Sequence, residues 1–504
     1  MRSLTILSVL FLSSACAAAP PPVAPSGTTS RPFPRASGEV QQLQTELTHV
    51  FGAAIMSRGV WAVDVRSLDT GETLYQRNQD RLMMPASNLK IVTLAAAADT
   101  LGWDYRFPTS LETSAPIEAG TLKGDLVIRG GGDPTINTRD KRAEAVLDEW
   151  AAALRSAGIQ QIDGRIIGND QVFDDEGIGP GWAWDYLQYG YAAPVGALQF
   201  NEDVATLTVR PAAQAGDPAQ VVLSPGAGLA IVNRVTTGTN GSVATIDYRR
   251  RLDQPILEVS GVVAADSTPL ERTVAVVNPT LFFAQCVKDG LIARGIAVTG
   301  AAADFDDVAA EIAGQRTEPR TIVTTQSPPL RDVATVLMKV SQNLYAETLL
   351  KALGAARGGL GTFEGGLTAV RGALTSWGIR DDAYVNADGS GLSRYNYVTA
   401  ATVTAVLERE YKSQNRDAFM STFPIAGKDG SMASRLQRTR AAGNALVKTG
   451  SISNVRAVSG YVKSRDGEML VFSIIANDFV IPAATVNWIA DLGIEHLANF
   501  TRGR

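Results

Sequence analysis

The chain has 504 residues, 45% of them apolar and 19% charged, with a formal net charge of −5. That length allows about two to four domains with buried cores, and the composition excludes a disordered chain or a polytopic membrane protein. The negative balance supplies no basic face for a phosphate backbone, so no nucleic acid partner is expected.

Met1-Arg2-Ser3 precedes an apolar run, Leu4 to Leu12, and then Ser13-Ser14-Ala15-Cys16-Ala17-Ala18-Ala19. This reads as a secretory signal over 1–19, cut after Ala17 or Ala18. The run falls short of the about 20 apolar residues that span a bilayer. Cys16 behind small residues also fits a lipoprotein signal, which makes a lipid anchor on Cys16 the alternative. Either route leads to the periplasm or cell envelope. Cys286 is the other cysteine, so no internal disulfide is expected, and its apolar setting, Leu281 to Val287, indicates a packed, inert thiol. Residues 20–38 are rich in Pro, Ser, Thr and Gly and read as a flexible spacer.

A helical pattern runs from Val40 to Phe51. Gly59 to Val65 then alternates as a strand, Asp69-Thr70-Gly71 supplies a turn, and Thr73-Leu74-Tyr75 starts the return strand. Ala-rich helical stretches follow at Ile91–Leu101, Val333–Leu353 and Leu367–Trp377. The middle, about 105–318, differs in texture: short β-like runs, many Gly and Pro turns, and one amphipathic helix at Glu144–Leu154. Gly130-Gly131-Gly132-Asp133-Pro134 lacks the context of a phosphate loop and reads as a tight turn. Near the end, Leu446–Ser451, Ala457–Lys463 and Met469–Ala476 are strands, and Val486, Ile489, Leu492 and Leu497 mark a final helix. The hairpins at the two chain ends can join in one antiparallel sheet covered by the terminal helices.

Only two histidines occur, His49 and His496, and neither sits in a motif. A Ser-His-Asp hydrolase and a His-rich zinc site are thereby excluded. Three short motifs carry the chemistry instead. Ser87-Asn88-Leu89-Lys90 opens a helix, and residues three apart share a face, so a neutral Lys90 amine can take the Ser87 proton. Ser341-Gln342-Asn343 offers a hydroxyl to relay a proton and a carboxamide to bind a substrate amide. Lys448-Thr449-Gly450 lies on a strand, where a cation and a hydroxyl can hold a terminal carboxylate and Gly450 admits the substrate backbone. The Ser451 N–H can join that of Ser87 as an oxyanion hole. Each motif alone is common; the ordered set is not.

This set, Ser-x-x-Lys, Ser-x-Asn and Lys-Thr-Gly, resembles that of penicillin-binding proteins and β-lactamases. With Gly130 to Thr135, Asn278-Pro279-Thr280-Leu281-Phe282, Asp388-Gly389-Ser390-Gly391-Leu392-Ser393 and the long span between Ser87 and Ser341, the chain is similar to the class C, type-four penicillin-binding proteins. That family comprises D-Ala-D-Ala carboxypeptidases and endopeptidases, and the match runs from about Val40 to Leu497. Gln342 departs from the Asp found at the middle of the second motif.

The resemblance implies an α/β (α+β) fold, a penicillin-binding/β-lactamase-like serine transferase domain with an antiparallel sheet flanked by helices. This domain would comprise 39–104 and 319–504, interrupted by two small β-rich domains over 105–318. It implies Ser87 as the acylated nucleophile, Lys90 as its base and Ser341 as a proton relay. Asn343 would bind the peptide amide, Lys448, Thr449 and Ser451 the carboxylate end, and Gly450 would let the substrate backbone approach. The substrates would be peptidoglycan stem peptides, with β-lactams as covalent inhibitors and neither metal nor cofactor required. A β-lactamase, a D-amino-acid esterase and a non-catalytic wall-binding protein stand as alternatives.

Overall fold

The computed structural model describes residues 38–139, 141–312 and 318–503. The expected leader, with Cys16, and residues 20–37 of the spacer lie outside the described residues. Chain order begins with helix α1 (Gly38–Phe51), whose Val40, Leu43, Leu47 and Val50 recur at helical spacing and are buried. Strands β1 (Val60–Ser67) and β2 (Thr73–Arg77) follow, joined across Gly71, whose φ of 75° suits glycine. Helix α2 (Leu89–Leu101) is buried from Leu89 through Ala98. Its small alanines let neighbours pack on every side, so it lies in the middle of the fold.

The Val333–Leu353 stretch, expected as one helical run, divides into α3 (Leu330–Lys339) and α4 (Asn343–Ala355). The break has a local cause: Ser341 sits at φ 66°, a left-handed conformation that a helix interior does not admit. Gln342 then starts α4, its side chain accepting from the Leu344 N–H at 3.2 Å. Helices α5 (Phe363–Ser376) and α6 (Ala400–Lys412) precede strands β3 (Leu446–Ile452), β4 (Val455–Lys463) and β5 (Met469–Asn477), and α7 (Ala483–Asn499) ends the chain.

The five strands form one antiparallel sheet in the order β2-β1-β5-β4-β3. As the sequence indicates, the two chain ends meet in it: β1 pairs with β5 from Val60 opposite Asn477 to Ser67 opposite Leu470. Strand alternation sorts β5 between two cores. Leu470, Phe472 and Ile474 face α1 and α7, meeting Leu43, Phe51, Ile489 and Leu497. Val471 and Ile475 face the other layer, with Leu94 of α2 and Val403 and Leu407 of α6. Each such fully buried side chain contributes about 1.5–3 kcal/mol of transfer free energy.

Between α2 and α3 the chain builds further cores. Pro108–Thr113, Leu126–Gly130, Ile166–Asn169, Ala302–Asp304 and Arg320–Gln326 form a mixed five-stranded sheet, packed with two helices around Trp150, Leu154, Phe283 and Leu291. Arg320–Gln326 pairs with Pro108–Thr113, so this sheet takes in chain beyond residue 318. Within the same region, two three-stranded sheets enclose Leu207, Val235, Leu257 and Val274. Cys286 is partly buried against Phe282, and burial pushes its thiol up to about 12, as expected of an inert cysteine.

Helix α4 is the seam between these parts, which is why even its polar residues are buried. Asn137 donates to the Tyr345 hydroxyl (3.1 Å), Gln199 donates to Thr348 Oγ1 (2.7 Å), and Lys351 pairs with Asp174. His496 meets Glu46 of α1 at 3.0 Å, and His49 is exposed on the same helix. Among the described residues no helix is long and apolar enough to cross a membrane.

Candidate active site

Ser87 lies in a tight turn, Ala86–Asn88, that feeds directly into α2. Ala86 takes φ 46°, a strained value for a residue with a β-carbon. Two glycines hold the turn from opposite sides. A Cβ on Gly391 would stand 1.8 Å from the Ala86 carbonyl oxygen, and one on Gly450 would stand 2.7 Å from the Pro85 oxygen and 3.1 Å from the Ser87 nitrogen. The sequence assigns Gly450 to admit the substrate backbone; in the fold its bare Cα instead admits the turn that carries Ser87.

One helical turn on, Lys90 points its Nζ to Ser87 Oγ at 3.0 Å, to Asn343 Oδ1 at 2.6 Å and to the Ser390 carbonyl at 2.8 Å. Lys90 is fully buried. Burial lowers its pKa to about 7 against the opposing charges of Glu347 and Asp388. An amine that is substantially neutral near pH 7, bonded to a hydroxyl, is equipped to deprotonate it.

The left-handed turn at Ser341 brings its hydroxyl to Lys448, whose Nζ donates to Ser341 Oγ at 2.8 Å and to the Thr449 carbonyl at 2.7 Å. Lys448 is also fully buried, and burial together with the nearby Lys90 holds its pKa well below the usual lysine range. Asn343 spends both ends of its carboxamide on the protein: Oδ1 accepts from Lys90, and Nδ2 donates to the Tyr191 carbonyl at 2.7 Å. It thus ties the buried lysine to the insertion. Gln342, the departure from the family pattern, turns away and donates to Glu202 at 2.6 Å.

Strand β3 is the edge of its sheet. On that outer edge the Val447 N–H bonds the Pro424 carbonyl at 2.9 Å, and two-residue alternation points the Thr449 and Ser451 N–H groups the same way. The Asn88 carboxamide fixes the Ser87 turn to the sheet, oriented to donate to the Lys448 carbonyl (3.0 Å) and to accept from Ser459 Oγ (2.6 Å). Thr449 Oγ1 donates to Ser431 Oγ at 2.7 Å.

Several residues here escape the motif reading. Glu347, fully buried, accepts the N–H groups of Gly389 and Ser390, each at 2.8 Å, and so fixes the carbonyl that Lys90 meets. Burial, with Asp388 nearby, raises its carboxyl to about 8. Asp388 accepts from Gly391 N (2.8 Å), Ser393 N (2.6 Å), Asn396 Nδ2 (2.7 Å) and Trp182 Nε1 (3.0 Å). The Asp388–Ser393 segment, which the sequence marks only as part of the family resemblance, is in the fold the backstop of Ala86 and Lys90. A signal for Glu347 existed, since it stands four residues after Asn343 and shares its face of α4.

Ser87, Ser341, Asn343, Thr449 and Ser451 line one open cleft of about 510 Å³, closed on the insertion side by Tyr186 and Tyr191. Among the described residues one group of three carboxylates, Asp170, Asp304 and Asp306, is close enough to share an ion, and none of the three lines the cleft.

Comparison with known proteins identifies the family. The family model described as "D-Ala-D-Ala carboxypeptidase 3 (S13) family" matches residues 43–492. A D-alanyl-D-alanine carboxypeptidase of Actinomadura sp. (strain R39) is 33% identical over 468 residues, covering 89% of this chain and 83% of that protein. D-alanyl-D-alanine carboxypeptidase DacB of Haemophilus influenzae is 26% identical over 419 residues, covering 82% and 84% respectively. The crystal structure of penicillin binding protein 4 (dacB) from Haemophilus influenzae matches with a TM-score of 0.75 and 25% identity, over 92% of this chain and 99% of that one. From its first buried helix to its last, the chain belongs to the D-Ala-D-Ala carboxypeptidase 3 (S13) family.

Proposed function

We propose that this protein is a serine-type D-Ala-D-Ala carboxypeptidase, able also to cut peptidoglycan cross-links, that works through an acyl-enzyme on Ser87. The observation that carries this reading is the 3.0 Å contact between Ser87 Oγ and a fully buried Lys90 amine. Neutral Lys90 takes the hydroxyl proton as Oγ attacks the carbonyl of the penultimate D-Ala. The N–H groups of Ser87 and Ser451 receive the oxyanion. Ser341, bonded to Lys448, passes a proton to the leaving amine, and the amine departs as free D-Ala or as the other half of a cross-link. Water then cleaves the ester and restores Ser87.

Thr449 and Ser451 line the cleft where the leaving group's carboxylate lies, and Asn343 holds Lys90 in place, with the second hydrogen of its Nδ2 left to donate to the peptide. The substrates on this reading are stem peptides of peptidoglycan outside the cytoplasm, and β-lactams trap the same serine. The division into a catalytic unit and a two-part insertion, with the insertion's end moved from 318 to Gln326 because Arg320–Gln326 pairs with Pro108–Thr113, the leader 1–19, and a lipid anchor on Cys16 as the alternative to simple cleavage belong to the same proposal.

The test incubates the mature protein with a fluorescent penicillin and with a D-Ala-D-Ala peptide, beside Ser87→Ala. The expected result is covalent labelling and D-Ala release by the wild type and neither by the variant. Labelling that survives the substitution would remove Ser87 as nucleophile. Labelling without D-Ala release would leave a penicillin-binding protein that is not a carboxypeptidase.

A further inference from the structure

Sequence reading gives the substrate's carboxylate to Lys448, but Lys448 is poorly placed to present charge. It is fully buried, and its ammonium is engaged with Ser341 Oγ and the Thr449 carbonyl. Lys90 is buried as deeply and engaged with Ser87, Asn343 and Ser390. Burial weakens the charged form of both.

A third cation reaches the cleft and is only partly buried; burial and Arg435 lower its pKa as well, but a guanidinium titrates so high that it stays protonated. Arg456 lines it together with Ser451, Ile452 and Ser453, and the lining contains no Asp or Glu. Arg456 stands on β4 directly opposite Ser451 of β3. Cross-strand partners project from the same face of a sheet, and Thr449, two residues along β3, shares that face. Its guanidinium is anchored from behind. Nη1 donates to the carbonyls of Ile452 (2.9 Å) and Val455 (2.6 Å), and the group sits 5.9 Å from the Phe479 ring centroid. Among the described residues it forms no ion pair, and the one charge acting on it is another cation, Arg435. A half-buried guanidinium without an acidic partner, held rigidly in a cleft, stays charged and keeps donors for a ligand.

We propose that Arg456 is the specificity-determining cation of this cleft: with the hydroxyls of Thr449 and Ser451 it recognises the free carboxylate that ends the substrate. The ligand class is an acyl-D-amino acid with an ionised terminal carboxyl, which the guanidinium fork can meet with two hydrogen bonds. Lys448 is left to its bond with Ser341. This inference rests on the carboxypeptidase reading above and adds the residue that selects the substrate's charged end.

The test compares an N-acylated Lys-D-Ala-D-Ala peptide with its C-terminal amide, in the wild type and in Arg456→Ala, Arg456→Gln and Arg456→Lys. The wild type prefers the acid. Removing the charge is expected to raise KM for the acid about tenfold or more, with a smaller change in kcat, and to shrink the acid-over-amide preference by a similar factor. Lysine is expected to restore part of that preference, because it keeps the charge without the fork. Arg456→Gln keeps a donor for the hairpin carbonyls, so it reads the charge even where the alanine variant loses structure. An acid-to-amide ratio equal to the wild type's in the Gln variant overturns the proposal. Failure of the wild type itself to label with penicillin and to release D-Ala is a separate result, and it strikes the parent reading of Ser87.

Discussion

Gly450 and Pro85 touch: the β-carbon that any other residue would bring to position 450 would stand 2.7 Å from the Pro85 carbonyl oxygen. The edge strand and the turn that carries Ser87 are therefore in backbone contact. Gly450→Ala must push the two apart by a few tenths of an ångström or more, moving Ser87 away from the Ser451 N–H. Because a misplacement of about 1 Å can cost about 100-fold in rate, acylation by a fluorescent penicillin should slow by up to roughly that factor, while a thermal melt still reports a folded protein. A Gly450→Ala protein that acylates at the wild-type rate would show that this contact does not set the geometry.

Lys90 sets the pH dependence. Burial brings its pKa down to about 7, and only the neutral amine can accept the Ser87 proton. The neutral fraction grows as pH rises, so the acylation rate should climb through about pH 7 and level off above it. Lys90→Gln, which cannot act as a base, should lower the rate by about 10²–10⁴ and remove that rise. Stopped-flow acylation from pH 5 to 9, in both proteins, measures the two effects together.

Glu347 works at one remove from the chemistry. It accepts two buried backbone N–H groups, and leaving a buried donor unsatisfied costs about 1–3 kcal/mol. Glu347→Ala should therefore lose roughly 2–6 kcal/mol in denaturant unfolding, and it should also slow acylation because the Ser390 carbonyl no longer steadies Lys90. Glu347→Gln keeps one of the two acceptors and should fall between. Unchanged stability in the alanine variant would refute this role.

Gln342 stands in the middle of the second motif and yet outside the cleft. Its side chain meets Glu202 of the insertion, so Gln342→Ala should change the acylation rate by no more than about twofold. Gln342→Asp, which restores the residue expected at that position, brings a second carboxylate toward Glu202. It should lower the melting temperature more than alanine does. An activity loss in the alanine variant greater than its loss of stability accounts for would place Gln342 in the chemistry after all.

How legible these features were follows from the range of the forces that set them. Helix α1, the two terminal hairpins and α7 were readable because each declares itself in a local period of apolar residues. The break at Ser341 was not, since Val333–Leu353 has helical character on both sides of it. Only the contact with Lys448, more than a hundred positions away, gives a left-handed serine its use. Arg456 likewise looks like an ordinary strand residue until the sheet sets it opposite Ser451.

The sequence by itself determined the chemistry class: a serine with a lysine one helical turn away, a Ser-x-Asn and a Lys-Thr-Gly in order, and too few histidines for the commoner serine hydrolase. Those are properties of residue type and short spacing, which a linear reading retains. The tertiary structure alone decided how charge is distributed in the cleft. It buried Lys90 and Lys448, aimed Gln342 away and brought Arg456 to the wall. A side chain's pKa and partners depend on what surrounds it in space, and here those surroundings come from segments hundreds of positions apart.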